Sequence, residues 1–188
     1  MRIGILAFQG DFKLHESILK KLNVSPELIK NKEQLKDIDA LIIPGGESTV
    51  ISKMLIKNNF ITSIKEFSKN KSIYGTCAGA ILMSSNCNDE RVNTLSIIDI
   101  EANRNAWGRQ IDSFIDDIEL SFSLDEKFAA TFIRAPKFKI INNAVEVLST
   151  YKKEPVLIRN KKHLISSFHP EVNDDLRIHK YFIEMIND

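Results

Sequence analysis

Apolar positions along the chain follow two rhythms, and the change between them falls near the middle. In the first half, continuous apolar runs that read as strands buried on both faces alternate with stretches of helical period. IGILAF, residues 3 to 8, is the first such strand. Leu14, Ile18 and Leu22 then recur four apart and predict one face of a helix. A weaker strand surrounds Leu28 and Ile29, and ALIIPGG predicts a strand running into a Pro-Gly-Gly turn. Val50 with Met54 and Ile51 with Leu55 return to helical spacing, and IYGTCAGAILM, Ile73 to Met83, reads as strand, turn and helix. Strands alternating with helices predict an α/β fold around a mainly parallel sheet.

The second half is rich in β-branched and aromatic residues at 94–100, 115–122, 128–133 and 145–148, without long helices between them. These segments predict an antiparallel addition to the sheet. HLISSF is one more strand, followed at once by HPE. A last helix is expected with Asp174 as its cap and Ile178, Tyr181, Phe182 and Met185 toward the core. No repeat, low-complexity tract or long linker divides the chain, so residues 1–188 are expected to form one domain.

Charge narrows the possible functions. The 26 basic and 25 acidic residues nearly cancel, and no basic run interleaved with aromatics suggests a nucleic-acid groove. The N-terminal apolar run lacks a cleavage site and passes directly into a strand, unlike a signal peptide. No stretch approaches the roughly 20 apolar residues of a membrane span. A soluble cytoplasmic protein is expected. Cys77 and Cys87 are expected to be thiols, and the four scattered histidines make no zinc-ligand spacing with them. Neither metal nor cofactor is implied.

Candidate chemistry gathers at three places. Gly-x-Cys-x-Gly between a strand and a helix is the cysteine form of a nucleophile elbow, which lifts Cys77 above the carboxyl end of a sheet and into the positive end of a helix dipole. A buried, inert cysteine is the plain alternative. A nucleophile needs a base, and of His15, His163, His169 and His179 only His169 lacks an easy structural reading on a helix face or at a charged turn. His169 follows a strand and has Glu171 two residues on, so a carboxylate could orient an imidazole that faces a thiol. The third place is PGGES, residues 44 to 48, whose glycines allow backbone N–H groups to approach an oxyanion.

GTCAGA and SFHPE together resemble the class I, or triad, glutamine amidotransferases, in which a cysteine, a histidine and a glutamate hydrolyse the side-chain amide of glutamine. Adding LAFQGDFKLHE, PGGEST, RNAWGRQIDSF, FIRAP and SFHPEVNDDLRIH narrows the resemblance to the PdxT family, the glutaminase subunits of pyridoxal 5′-phosphate synthase. These motifs occur in the family's order and span nearly the whole chain. The resemblance implies a flavodoxin-like, three-layer α/β/α sandwich with a mixed, mainly parallel central sheet.

It also implies that Cys77 is the nucleophile, His169 the base and then acid, and Glu171 its orienting group. Gly46, Glu47, Ser48, Arg104, Ile133 and Arg134 would bind L-glutamine, with either arginine able to hold its α-carboxylate. Gly45, Gly46 and Ala78 would form the oxyanion hole, and Gln9 would help couple the site to a partner. That partner would be a (β/α)₈-barrel synthase subunit of the PdxS type, which receives the ammonia. Phe8 and Ala80 depart from commoner aliphatic residues, and Trp107 fills an aromatic position. None of these removes a catalytic group.

Overall fold

The structure is a computed structural model and describes residues 1–104, 106 and 113–187. In chain order its elements are β1 (Arg2–Leu6), α1 (Phe12–Lys21), β2 (Ser25–Ile29), β3 (Ala40–Ile43), α2 (Ser48–Lys57), α3 (Phe60–Asn70), β4 (Ser72–Thr76), α4 (Ala78–Met83), β5 (Ser84–Cys87) and β6 (Ile98–Asn103). There follow β7 (Phe114–Leu120), β8 (Ser123–Phe132), β9 (Lys137–Ile140), β10 (Glu146–Tyr151), β11 (Glu154–Arg159), β12 (Leu164–Ser166) and α5 (Arg177–Asn187).

A seven-stranded sheet in the order β10-β11-β12-β4-β3-β1-β2 carries the molecule. From β12 to β2 the pairing is parallel, while β10 and β11 extend that edge antiparallel. Because successive strand residues face opposite ways, β3 feeds two cores at once. Ala40 and Ile42 join Ile3, Ile5 and Tyr74 against Leu19 of α1 and Ile178 and Phe182 of α5. Leu41 and Ile43 join Ile73 against Ile51 and Leu55 of α2 and Ile64 of α3. Helices therefore cover both faces, giving the expected mixed, mainly parallel α/β/α arrangement. No helix among the described residues is long and apolar enough to cross a membrane.

Several expectations need correction. The first strand stops at Leu6; Ala7 still donates its N–H to Ile29 O at 2.9 Å, and Phe8 packs edge-on against Phe60 at 5.0 Å. Helix α1 is present, but its buried face is His15, Ile18 and Leu19, and Leu14 is 41% exposed. A buried histidine had turned the apolar pattern by about one residue. Helix α3 and strands β5, β9 and β11 were not anticipated.

Only part of the second half joins the main sheet. β10, β11 and β12 do so, whereas β7 and β8 form a separate hairpin and β5, β6 and β9 a small third sheet. The segment expected as a strand from Thr94 becomes regular only at Ile98. At the final helix, Asp174 pairs with Lys21 at 2.6 Å; Asp175 instead accepts the Arg177 N–H at 3.0 Å.

Candidate active site

Three neighbouring parallel strands deliver the three motifs to one end of the sheet. β3 pairs Ile43 with Gly75 of β4, and β4 pairs Thr76 with Ser166 of β12. The Pro-Gly-Gly turn, Cys77 and the His169 loop thus emerge side by side at carboxyl ends, where open α/β sheets place their ligands.

The elbow is shaped by close backbone approach. Cys77 has φ 45° and ψ −100°, a conformation that costs about 1–3 kcal/mol for a residue with a side chain. It is pinned there by its N–H, which donates to Ser166 O at 2.9 Å, and by α4, which starts at Ala78. A Cβ on Gly79 would run into the Ile43 carbonyl oxygen, and one on Gly75 would lie 2.6 Å from Met83 Sδ. The elbow can close only with both glycines in place. Its sulfur is nearly buried, 3.8 Å from the Ile133 carbonyl oxygen.

His169 leaves β12 with its N–H donated to Thr131 O at 2.8 Å. Its Nδ1 lies 2.8 Å from Glu171 Oε1, and both side chains are buried; Asp11 Oδ2 stands 3.7 Å away. Burial disfavours charge on His169, but its interactions with the Cys77 sulfur and with Glu171 outweigh this and push its pKa up to about 11. Burial likewise opposes ionisation of Glu171, yet the nearby His15 and the bond from His169 hold it at about 2. His15 is itself fully buried and lowered by that burial, so the cation facing Glu171 near neutral pH is His169. A protonated imidazole is therefore clamped between a carboxylate and a sulfur.

Between these walls lies a cavity of about 430 Å³, a small-molecule size, lined by Gln9, Asp11, Gly46, Glu47, Ser48, Cys77, Ile81, Arg104, Ile133, Arg134 and His169. Gln9, Gly46, Glu47, Ser48, Arg104, Ile133 and Arg134 are thus brought together with Cys77 and His169, while Glu171 stands behind His169. Gln9 Oε1 accepts the Glu47 N–H at 2.8 Å and so latches the Pro-Gly-Gly turn. Ser48 Oγ is buried without a partner among the described residues. The two arginines differ: Arg104 is paired with Asp89, whereas Arg134, at φ 44° and exposed, makes no ion pair with the described residues. Trp107 lies outside the described residues.

The expected oxyanion donors are not equivalent either. The Gly45 N–H already donates to Thr76 Oγ1 at 2.9 Å. Gly45 instead packs its α-carbon against His169, where a Cβ would strike the imidazole. Ala78, as the first residue of α4, has an N–H with no acceptor inside its helix.

Sequence reasoning missed Asp11, Thr76 and Ile81, although Asp11 follows β1 at the same sheet end and Thr76 adjoins the nucleophile. It also gave His15 and His179 plain structural readings on a helix face or at a charged turn, and both are fully buried. His163 is structural, accepting the Ile73 N–H at 3.2 Å. Asp11, His169 and Glu171 are the described residues whose ligand atoms could gather on a metal, within 4.8 Å of one another. The 2.8 Å bond between His169 Nδ1 and Glu171 already uses that nitrogen, an arrangement that suits proton handling.

An elbow cysteine beside an imidazole and carboxylate, on a flavodoxin-like sheet, defines a class I glutamine amidotransferase. Residues 5–188 match the model of the SNO glutamine amidotransferase family, and the chain belongs to that family. The pyridoxal 5′-phosphate synthase subunit PdxT of Thermosipho africanus is 43% identical over 187 residues, 99% of each chain. Its counterpart in Francisella tularensis is 41% identical over 184 residues, 98% of each chain. A crystal structure of a glutamine amidotransferase superimposes with a TM-score of 0.92 at 39% identity, covering 99% of both chains. PurLQS from Thermotoga maritima shares the fold, with a TM-score of 0.73 at 15% identity over 99% of this chain and 97% of its own.

Proposed function

We propose that residues 1–188 form one glutaminase domain that hydrolyses L-glutamine to L-glutamate and ammonia, and hands the ammonia to a pyridoxal 5′-phosphate synthase subunit. The observation that carries this reading is the elbow Cys77 beside the His169–Glu171 pair, with Cys77 and His169 both lining a cavity of about 430 Å³ at the carboxyl ends of β3, β4 and β12. His169 takes the Cys77 proton as general base, and the sulfur attacks the glutamine carboxamide. The tetrahedral oxyanion is met by the Ala78 N–H at the start of α4 and by the Gly46 N–H. Of the expected donors, Gly45 would serve only if it released Thr76.

His169 then protonates the departing ammonia, and the resulting γ-glutamyl thioester is hydrolysed by a water that His169, now neutral, activates. Glu171 holds the imidazole in position and balances its charge in both steps. Arg134, which makes no ion pair with the described residues, takes the α-carboxylate of glutamine, while Arg104, shared with Asp89, lines the pocket beside it. Glu47, Ser48 and Ile133 complete the glutamine site. The buried Ser48 hydroxyl, without a partner among the described residues, supports such a role, since it gains one when a polar ligand arrives.

The partner is a PdxS-type barrel, and Gln9, which latches the turn carrying Gly46 and Glu47, couples docking to the site. The complex works in the cytoplasm, where both free thiols stay reduced. The test is cofactor synthesis by the chain assembled with a PdxS-type synthase. A Cys77→Ala variant is expected to support synthesis from ammonium but not from glutamine. Glutamine-dependent synthesis at the wild-type rate by that variant would overturn the proposal.

A further inference from the structure

Behind the pocket the protein buries two histidines that the reaction above does not use. His15, on α1, and His179, on α5, are both fully inaccessible to solvent, and their rings meet with His15 Nδ1 2.9 Å from His179 Nε2. The other nitrogen of His15, Nε2, faces two acceptors at once: Thr76 Oγ1 at 3.3 Å and Glu171 Oε1 at 3.6 Å. Thr76 Oγ1 in turn accepts the Gly45 N–H. The remaining nitrogen of His179, Nδ1, is buried and has no partner among the described residues.

These contacts select one tautomer for each ring. Burial lowers the pKa of both histidines, so each carries a single ring proton near neutral pH. If His15 held its proton on Nδ1, a bare Nε2 lone pair would face the ionised Glu171 and a protonated His179 Nδ1 would be a buried donor without an acceptor. With the proton on Nε2 in both rings, His179 donates to His15, His15 directs its N–H toward the carboxylate and the Thr76 oxygen, and the orphan on His179 is only a lone pair. The positive N–H pole is attracted to the carboxylate 3.6 Å away where a bare lone pair would be repelled, which decides between the two arrangements.

We propose that His15, oriented by His179, is a positioning residue for the triad: its Nε2–H holds the Glu171 carboxylate and the Thr76 hydroxyl in one buried unit, tying the group that orients His169 to the turn that carries Gly45. This rests on the glutaminase reading of the site. The charged or titratable groups around the unit are Glu171 and His169 from the loop after β12, Asp11 before α1, His179 on α5, and Tyr74 of β4, whose ring stands edge-on to both histidines. Removing the His15 N–H leaves the burial of Glu171 offset by His169 alone. The carboxylate then protonates at higher pH and orients His169 less well.

Two experiments test this. In the intact chain, labelled with ¹⁵N at its histidine rings, His15 and His179 are expected as neutral Nε2–H tautomers at pH 7; an Nδ1–H tautomer at His15 would overturn the assignment. In the assembled complex with its synthase, His15→Leu is expected to lower kcat for glutamine about tenfold with KM little changed. The acidic limb of its pH profile should rise by about one unit. His15→Gln, which can place an N–H near the Nε2 position, should recover most of both. A folded His15→Leu with unchanged kcat and pH profile, or a glutamine variant no better than leucine, would overturn the positioning role. Loss of folding in His15→Leu leaves the decision to the tautomers, and absence of turnover in the wild-type complex would indict the glutaminase reading instead.

Discussion

The two walls of the pocket are built by opposite means. Around Cys77 the chain is shaped by backbone packed on backbone: Gly79 against the Ile43 carbonyl, Gly75 against α4, and a nucleophile held at φ 45°. Around His169 it is shaped by buried polar side chains, with Glu171, His15, His179 and Thr76 sharing short contacts inside the fold. The first wall should therefore be sensitive to added bulk and tolerant of lost polarity. The second should respond to lost polarity and to pH.

The sharpest way to separate them is at the strained residue itself. Cys77→Gly should abolish glutamine hydrolysis while raising stability by about 1 kcal/mol, because glycine adopts φ 45° without the strain that cysteine bears. Denaturant unfolding beside a glutamate-release assay reads both effects, and a less stable glycine variant would contradict the strain argument. Gly79→Val should cost about 3 kcal/mol or more, since the Ile43 carbonyl belongs to a central strand and cannot retreat. A melting temperature close to wild type would show that the elbow has slack.

On the polar wall, Thr76→Val preserves shape but strands the buried Gly45 N–H, at a cost of about 1–3 kcal/mol. Equal stability would mean that the Gly45 N–H finds another acceptor when the hydroxyl is removed.

The smallest effect is on pH. Burial lowers His163 to about 4 and His179 to about 3, whereas the unfolded histidines titrate near 6.5. Below pH 6.5 the unfolded chain takes up protons that the folded chain refuses, so stability present above 6.5 is lost as pH falls toward those values. His169 works in the other direction, its raised pKa contributing stability that is full below 6.5 and lost as pH climbs toward 11. Melting temperature should thus decline by about 5 °C between pH 7 and 5, and His163→Asn should flatten the slope. A flat wild-type profile over that range would contradict the neutral buried histidines.

The same contrast explains what was legible beforehand. The parallel core was readable because β3 and β4 are short, continuous apolar runs ending in glycine turns, and such runs admit few other readings. The elbow was legible because its constraint is steric and falls on glycines adjacent in sequence. The second half was less so: strands of similar composition can pair with the main sheet or with each other, and nothing local told β7 and β8 to form their own hairpin. The polar wall was the least visible. His15 occupies a helix position that periodicity assigns to the boundary, and its partners lie 61 and 164 residues away. Only the fold brings Thr76 and His179 to it.

One measurement bears most directly on the whole account: glutamate release from glutamine by the chain mixed with a PdxS-type synthase subunit, wild type against Cys77→Ala. The account predicts release by the wild type and none above background by the variant. Release by both at similar rates would mean that Cys77 is not the nucleophile, and that the pocket at the carboxyl ends of β3, β4 and β12 does its work in some other way.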